Sequence, residues 1–429
     1  MSDLAIGSAP FTPRETASSP PPDTPGLLWR QLPVHSPAPR GAVWEAVRHG
    51  LGLGDDPRPR VREMIRAVYA ADEAILLGSG TQALQVAIRA AGRLMGGDFV
   101  VALPAFTCFD VASAAVGAGA RIALYDVEPS TLAPDFDSLL CTLAAGARIV
   151  VAVPLYGVPI DWQTLQAQTA AFGAVVIEDA AQGHGACWRD RPLGGFGVIS
   201  TLSFGRGKGW TGGKGGALLV RAQRGHRLPV PNGSAGNPPG EARALAEFGV
   251  LLRATAQWAL GHPSRYRFPA SIPWLRLGET RYRDPQPPAG MTRAAAALLE
   301  CTRTLAARAA LARRANAEFL IDRLPANPLV RTVCPPAGSA PGYLRLPLRT
   351  SRGLAGFGNR SRAVQLGVMP SYPSTLAALP QVQARLTRGT GRWPGAEELV
   401  RELVTLPTHS LVTEGDREAL ACLLANYAG

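Results

Sequence analysis

Lys208 and Lys214 stand six residues apart in "SFGRGKGWTGGKGG", and they are the only lysines in a 429-residue chain with 44 Lys plus Arg. Where positive charge suffices, this sequence uses arginine. An amine that sheds its proton and attacks a carbonyl is something arginine does not supply, because its guanidinium stays protonated near neutral pH. Lys208 follows the apolar run "STLSF" and lies 29 residues after Asp179, which closes another run, "VVIED". Upstream, Gly78-Ser79-Gly80-Thr81 precedes a helical pattern. Its backbone N–H groups and the Thr81 hydroxyl are suited to holding a phosphate at a helix N-terminus. A phosphate cradle, a strand-end carboxylate and a loop lysine together suit pyridoxal phosphate. The lysine forms an imine with the cofactor aldehyde, and the carboxylate keeps the pyridine nitrogen protonated so that the ring accepts electrons from a substrate carbanion. Lys208, nearer the strand end, is the expected imine former. Lys214 does not complete a nucleotide-binding P-loop, since Gly215 follows it, and reads as a solvated turn residue.

The elements that must position these groups alternate in kind. From residue 75 onward, the helical pattern "TQALQVAIRAAGRL" is followed by the strand "DFVVALP". A helix around "DVASAAVGAG" then leads to the strand "RIALYDV", and a helix near "FDSLLCTLA" to "ARIVVAVPLYG". A helix near "DWQTLQAQTAAFG" precedes "AVVIEDAAQ", and "VISTLSF" and "GALLV" flank the lysine loop. Such alternation predicts an α/β fold with a mostly parallel sheet covered on both faces, and ligands of such sheets bind beyond the carboxyl ends of the strands. Later, "TRAAAALLECTRTLAARAALARRANAEFLIDRL" predicts a long helix. The strand "YLRLPLR" and helical patterns near "RAVQLGV" and "AEELVRELV" then predict a smaller α+β domain. The expected organisation is a flexible Pro/Ser-rich tail over 1–30, a large cofactor-binding domain over 31–290 and a small C-terminal domain over 291–429. The large domain carries an aromatic, Arg- and Pro-rich insertion at about 257–290.

In chain order, "GSGTQAL", "VALPAFT", "VPLYG", "VIEDAAQGHGA", "LSFGRGKGWTGGKGGALLV", "SYPSTL" and "LPTHSLVT" resemble the DegT/StrS-type sugar aminotransferases, which are fold type I pyridoxal phosphate enzymes. The likeness spans roughly residues 30–425 and is strongest from 78 to 220. It implies that Lys208 and Asp179 are the catalytic pair and that Gln182 lies near the cofactor's phenolic oxygen. It further implies that Gly80, Thr81 and Ser203 hold the phosphate and that Tyr372 stands near the acceptor pocket. His184 follows the same motif. Arg206 is a candidate for meeting an anionic substrate group. Several positions depart from the family pattern. Cys108 stands where an aromatic commonly stacks on the cofactor ring, leaving Phe109 as the expected stacking residue. Pro154 replaces a His, Arg206 an aromatic, and Pro288 stands in for an Asn-containing segment used across the dimer.

The resemblance implies a homodimer that moves an amino group from glutamate or glutamine to a keto group, most plausibly on a nucleotide-linked sugar. Two other outcomes fit the same residues: a pyridoxal phosphate enzyme acting on a non-nucleotide ketone or cyclitol or catalysing elimination, and a catalytically decayed cofactor-binding regulator. The sugar dehydratases of this likeness replace the lysine with His, which Lys208 argues against. A net charge of +12 invites an anionic partner, but the arginines are scattered and stacking aromatics are sparse, so a nucleic-acid partner is not expected. Six widely spaced cysteines form no CxxC pair and six histidines no metal-ligand cluster. These features predict reduced thiols in a cytoplasmic protein with no metal site and no membrane span.

Overall fold

The computed structural model describes residues 30–221, 240–270, 280–324, 327–387 and 391–428. Helices α1 (Arg40–Gly50) and α2 (Arg58–Tyr69) lead into β1 (Glu73–Leu77) and α3 (Gly80–Leu94). The alternation then runs through β2 (Val100–Pro104), α4 (Phe109–Ala118), β3 (Arg121–Tyr125), α5 (Phe136–Ala144), β4 (Ile149–Ala152), α6 (Trp162–Ala170) and β5 (Val175–Asp179). Two short strands, β6 (Cys187–Trp188) and β7 (Arg191–Pro192), precede β8 (Ile199–Ser203) and β9 (Gly216–Val220). Beyond lie α7 (Gly240–Leu260), α8 (Pro263–Ala270) and the 30-residue α9 (Arg293–Asp322). The rest is β10 (Val330–Thr332), β11 (Ser339–Ala340), β12 (Leu346–Thr350), α10 (Arg360–Gln365), β13 (Met369–Pro370), α11 (Pro380–Gln383), α12 (Pro394–Glu402), β14 (Leu403–Leu406) and α13 (Glu414–Ala425).

Seven strands form one sheet in the order β1-β9-β8-β5-β4-β2-β3, parallel except where β9 runs against both β1 and β8. The inner strands read as unbroken apolar runs because helices cover both faces. Alternate residues feed two cores: Val101, Leu103, Ile149, Val151 and Ile177 face one, and Val100, Ala102, Val150, Ala152 and Val176 the other. Helix starts carry their own stops and caps. Ser79, Asp135, Asp161 and Thr292 each accept a first-turn N–H of the helix that follows, and Thr413 and Asp416 form a capping box on α13. A four-stranded antiparallel sheet, β10-β12-β14-β13, lies in the C-terminal part, with α9 on its chain-order boundary.

Register brings the chemistry to one edge. Asp179, the last residue of β5, pairs with Thr201 of the parallel β8. Two residues on, Ser203 pairs with Gly216, and Gly216 pairs with Leu77 at the end of β1. Because β8 and β9 are antiparallel neighbours, the loop between them must emerge at the carboxyl end of β5. That loop carries both lysines. The ends of β1, β5 and β8 therefore open on one side of the sheet, as the reading of the sequence expected.

The mostly parallel α/β sheet agrees with expectation, and α5 and β9 occupy the residues read for them. Helix α12 does not extend through "ELV" as its periodicity suggested. The chain turns extended at Leu403, because Leu403–Leu406 pairs with β12 and β13 in the second sheet. Helix α7 covers part of the stretch read as an insertion. The expected tail lies outside the described residues apart from Arg30, as do residues 271–279 of the insertion. Among the described residues, no helix is long and apolar enough to cross a membrane, and no group of His, Cys, Asp or Glu is arranged to hold a metal ion.

Candidate active site

Gly80, Thr81, Cys108, Asp110, Asp179, Gln182, Ser203 and Lys208 line a single pocket, closed by the apolar side chains Leu84, Val111 and Val153 and by Ala181. Six of the seven residues expected at a cofactor are thus brought together from loops as much as 128 residues apart in sequence.

The phosphate corner is the start of α3. Its first-turn N–H groups have no partners within the helix, and Ser79 satisfies only that of Gln82, at 3.2 Å. A Cβ at Gly80 would lie 2.6 Å from Ser203 Cβ and 2.8 Å from its Oγ, so only glycine lets the Ser203 hydroxyl approach the helix end. On the lysine side, Gly207 and Gly209 both have φ of +81°, a left-handed conformation that bulkier residues resist. The "GKG" step therefore turns sharply on either side of Lys208 and presents its side chain to the pocket.

Asp179 is buried, and its Oδ1 accepts from Ala181 N–H and the Thr201 hydroxyl, each at 3.2 Å. Burial raises its pKa, while the Lys208 charge and these two hydrogen bonds pull it back down. Its neighbour Glu178 points the other way. That carboxylate accepts from Gly194, Phe196 and Gly197 N–H groups and from Ser200 Oγ, and so ties down the loop ahead of β8. Sequence reading passed over Glu178 because alternation on a strand sends adjacent side chains to opposite faces, and nothing marks which face is chemical.

Gln182 has a fixed amide. A backbone N–H only donates, so the 2.9 Å bond from Tyr156 N–H assigns the facing atom as Oε1, and Nε2 then donates to the Tyr372 hydroxyl at 3.0 Å.

Phe109 departs from expectation, and the three residues expected toward the substrate lie outside this lining. Phe109 does not line the pocket. Cys108 is the N-cap of α4, and the helix turn after it sends Phe109 into the core, where it is 4% exposed. The thiol of Cys108 faces the pocket instead, and burial pushes its pKa up to about 11. His184 is absent from the lining. It packs on Trp210 with ring centroids 5.4 Å apart, and burial beside Arg313 holds it neutral, with a pKa near 3. Arg206 is exposed and is not among the lining residues. Tyr372 is buried, its hydroxyl accepts from Gln182 Nε2, and it is not among the lining residues. Lys214 is exposed, as its glycine-rich surroundings suggested.

Arg313 escaped the sequence reading because "LARRAN" looks like surface charge. It is 1% exposed, donating from Nε to Gly342 O at 3.1 Å and from Nη2 to His184 O at 2.8 Å, while Arg314 Nη2 reaches Gly185 O at 3.1 Å. Together they clamp the turn after Gln182 to α9. Arg313 also stands against Gly209, where an added Cβ would lie 3.2 Å from Nη2.

Compared with solved structures, the fold is that of the type I pyridoxal phosphate transferases. A sugar aminotransferase, CalS13 from Micromonospora echinospora, superposes with a TM-score of 0.68 at 20% identity, covering 91% of this chain and 98% of that one. In sequence, residues 58–227 match the DegT/DnrJ/EryC1/StrS aminotransferase family. The chain is 34% identical over 180 residues to the L-glutamine:2-deoxy-scyllo-inosose aminotransferase of Streptomyces kanamyceticus, covering 41% of this chain and 42% of that one. It is 29% identical over 189 residues to the 3-amino-5-hydroxybenzoate synthase of Amycolatopsis mediterranei (strain S699), covering 44% and 48%. The match thus spans less than half the length of either relative.

The residues present fit pyridoxal phosphate. The pocket holds a free amine, a buried carboxylate with one oxygen committed to neighbours, and a helix start shaped by a glycine that has no room for a side chain.

Proposed function

We propose that this protein is a pyridoxal phosphate-dependent aminotransferase that moves an amino group from glutamate or glutamine to the keto group of a ring, either a nucleotide-linked sugar or a cyclitol. The observation that carries this reading is the meeting of Lys208 and Asp179 in one pocket with Gly80, Thr81 and Ser203. When bound, the cofactor supplies an electrophilic carbon and a ring that accepts an electron pair from a substrate C–H bond.

The chain's own residues do the rest. Lys208 Nζ would hold the cofactor through its carbonyl carbon, and as a free amine it would be the base that takes a proton from the donor carbon and returns it on the other side of the C–N bond. Asp179 holds a proton on the ring nitrogen. Its burial strengthens that interaction, since a carboxylate facing a cation in a low-dielectric pocket is little screened. Gly80, Thr81 and Ser203 neutralise the phosphate with N–H and O–H donors at the positive end of α3. Gln182 offers its remaining N–H to an oxygen on the ring.

A cyclitol acceptor is supported by the inosose aminotransferase likeness, and a nucleotide-linked sugar by the fold likeness to sugar aminotransferases. The regulator reading is disfavoured by the intact Lys208 and Asp179 pair. The sites of fold type I enzymes form between two subunits, so the working form is expected to be a homodimer.

The test is a half-reaction. Protein loaded with pyridoxal phosphate and mixed with 15N-labelled glutamate or glutamine should convert the cofactor to its amine form and release the corresponding keto acid. Retention of both donors unchanged, in protein that binds the cofactor, would refute the aminotransferase reading and favour the regulator.

A further inference from the structure

Tyr372 was expected near the acceptor pocket, and its hydroxyl accepts a hydrogen bond from Gln182 Nε2 at 3.0 Å. The two residues come from different sheets: Gln182 follows β5 of the seven-stranded sheet, and Tyr372 follows β13 of the four-stranded one. The Tyr372 ring is locked in place. It meets Phe106 edge-on at 5.1 Å and lies nearly parallel to Tyr156 at 6.2 Å. The adjacent residue, Ser371, shares a hydrogen bond with the Tyr156 hydroxyl at 2.5 Å, so both residues of this step are tied to the loop after β4.

The amide of Gln182 is therefore held at both ends. Tyr156 N–H fixes Oε1, and the Tyr372 hydroxyl takes one of the two Nε2 hydrogens. One N–H is left, on the side of a residue that lines the pocket. Removing the Tyr372 hydroxyl frees that hydrogen and lets the amide rotate about its last bond.

We propose that Tyr372 is a positioning residue: acting through Gln182, it aims the one free amide N–H at the oxygen of the bound cofactor's ring. The inference rests on the cofactor assignment made above. It places the control of cofactor electronics partly in the C-terminal sheet. Other charged or titratable groups near this pair are Tyr156, Cys108 and Asp179, with Arg345 near Tyr156. Burial holds the Tyr372 and Tyr156 hydroxyls protonated, so neither changes charge near neutral pH.

The experiment is a pH titration of the visible band of protein loaded with pyridoxal phosphate, with no substrate added. Tyr372→Phe keeps the ring and its packing. We expect its titration midpoint to move by about half a pH unit or more, the size of one lost hydrogen bond to a charged oxygen. In a Gln182→Leu background the same substitution should add nothing, because its effect runs through the amide. Should Tyr372→Phe fold poorly, Gln182→Glu serves instead. It keeps both contacts but leaves no N–H for the pocket, and it should shift the midpoint as well.

An unchanged midpoint in well-folded Tyr372→Phe would overturn the inference, whatever Gln182→Glu does. So would a Tyr372→Phe shift that persists at full size in the Gln182→Leu background. Wild-type protein that gains no visible band with pyridoxal phosphate would overturn the cofactor assignment itself, and this inference with it.

Discussion

Gly80 shows how much one missing side chain decides. A methyl group there would overlap Ser203 within 2.8 Å and push apart the two sources of phosphate donors. Gly80→Ala should therefore weaken pyridoxal phosphate binding about tenfold or more, roughly 1.4 kcal/mol. Adding Ser203→Gly should recover part of the loss by making room. Equilibrium titration by fluorescence quenching checks both, and wild-type affinity in Gly80→Ala would contradict this view of the cradle. Lys208 was legible in the sequence because its chemistry has no substitute among the arginines. Cys108 and Phe109 were not. Which of two neighbours faces a pocket depends on where a helix begins, and Cys108 caps α4 without any side-chain hydrogen bond to announce it. His184 likewise matched a motif, but only the packing of Trp210 and Arg313 shows that it is a neutral, buried ring.

Among elements, α9 has the widest reach. Its start is capped by Thr292, its second turn receives Trp210 Nε1 at Leu299 O, and Arg313 and Arg314 bind the turn after Gln182. Asn316 then reaches Thr408 O and His409 O in the C-terminal part. Arg313→Met should cost about 1–3 kcal/mol by leaving the buried Gly342 and His184 carbonyls unpaired. Urea unfolding should show this as a lower midpoint, and an unchanged midpoint would mean that the clamp is dispensable. The helix itself was evident from its composition and length. Its role was not, because periodicity reports which residues share a face but not what that face meets. The overrun at α12 has a related cause. The letters of "ELVRELV" suit a helix, and only pairing with β12 and β13 draws the last of them into a strand.

For the molecule as a whole, the segment Gln31–Ser36 acts as a stitch. Gln31 donates to Leu411 O and Asp416, Arg345 reaches Pro33 O, His409 Nε2 donates to Leu32 O, and Gln257 of α7 reaches Ser36 O. Val34 abuts Gly207, beside Lys208. No motif flags these residues, since the contacts exist only once distant parts have assembled. The stitch also predicts a pH dependence. His409 has both ring nitrogens engaged as a neutral ring and a pKa lowered by burial to about 3. His35 lies near 4, lowered by burial and by His262. The unfolded chain takes up these protons near pH 6.5, and the fold refuses them until much lower pH. Stability is thus full above about pH 6.5 and falls as pH drops, by up to about 1.4 kcal/mol per unit for each such group. Denaturant unfolding at pH 7.5 and pH 5 should show this loss, with a smaller loss in His409→Gln. Equal stability at the two pH values would contradict it.

The central claim is a covalent bond to one amine among two lysines, and that makes it open to a direct measurement. Protein loaded with pyridoxal phosphate should be reduced with borohydride, digested and mapped by mass spectrometry. The account predicts the reduced pyridoxyl group on Lys208, with loss of both the label and the visible band in Lys208→Ala. Labelling on Lys214, or a full visible band in Lys208→Ala, would contradict it.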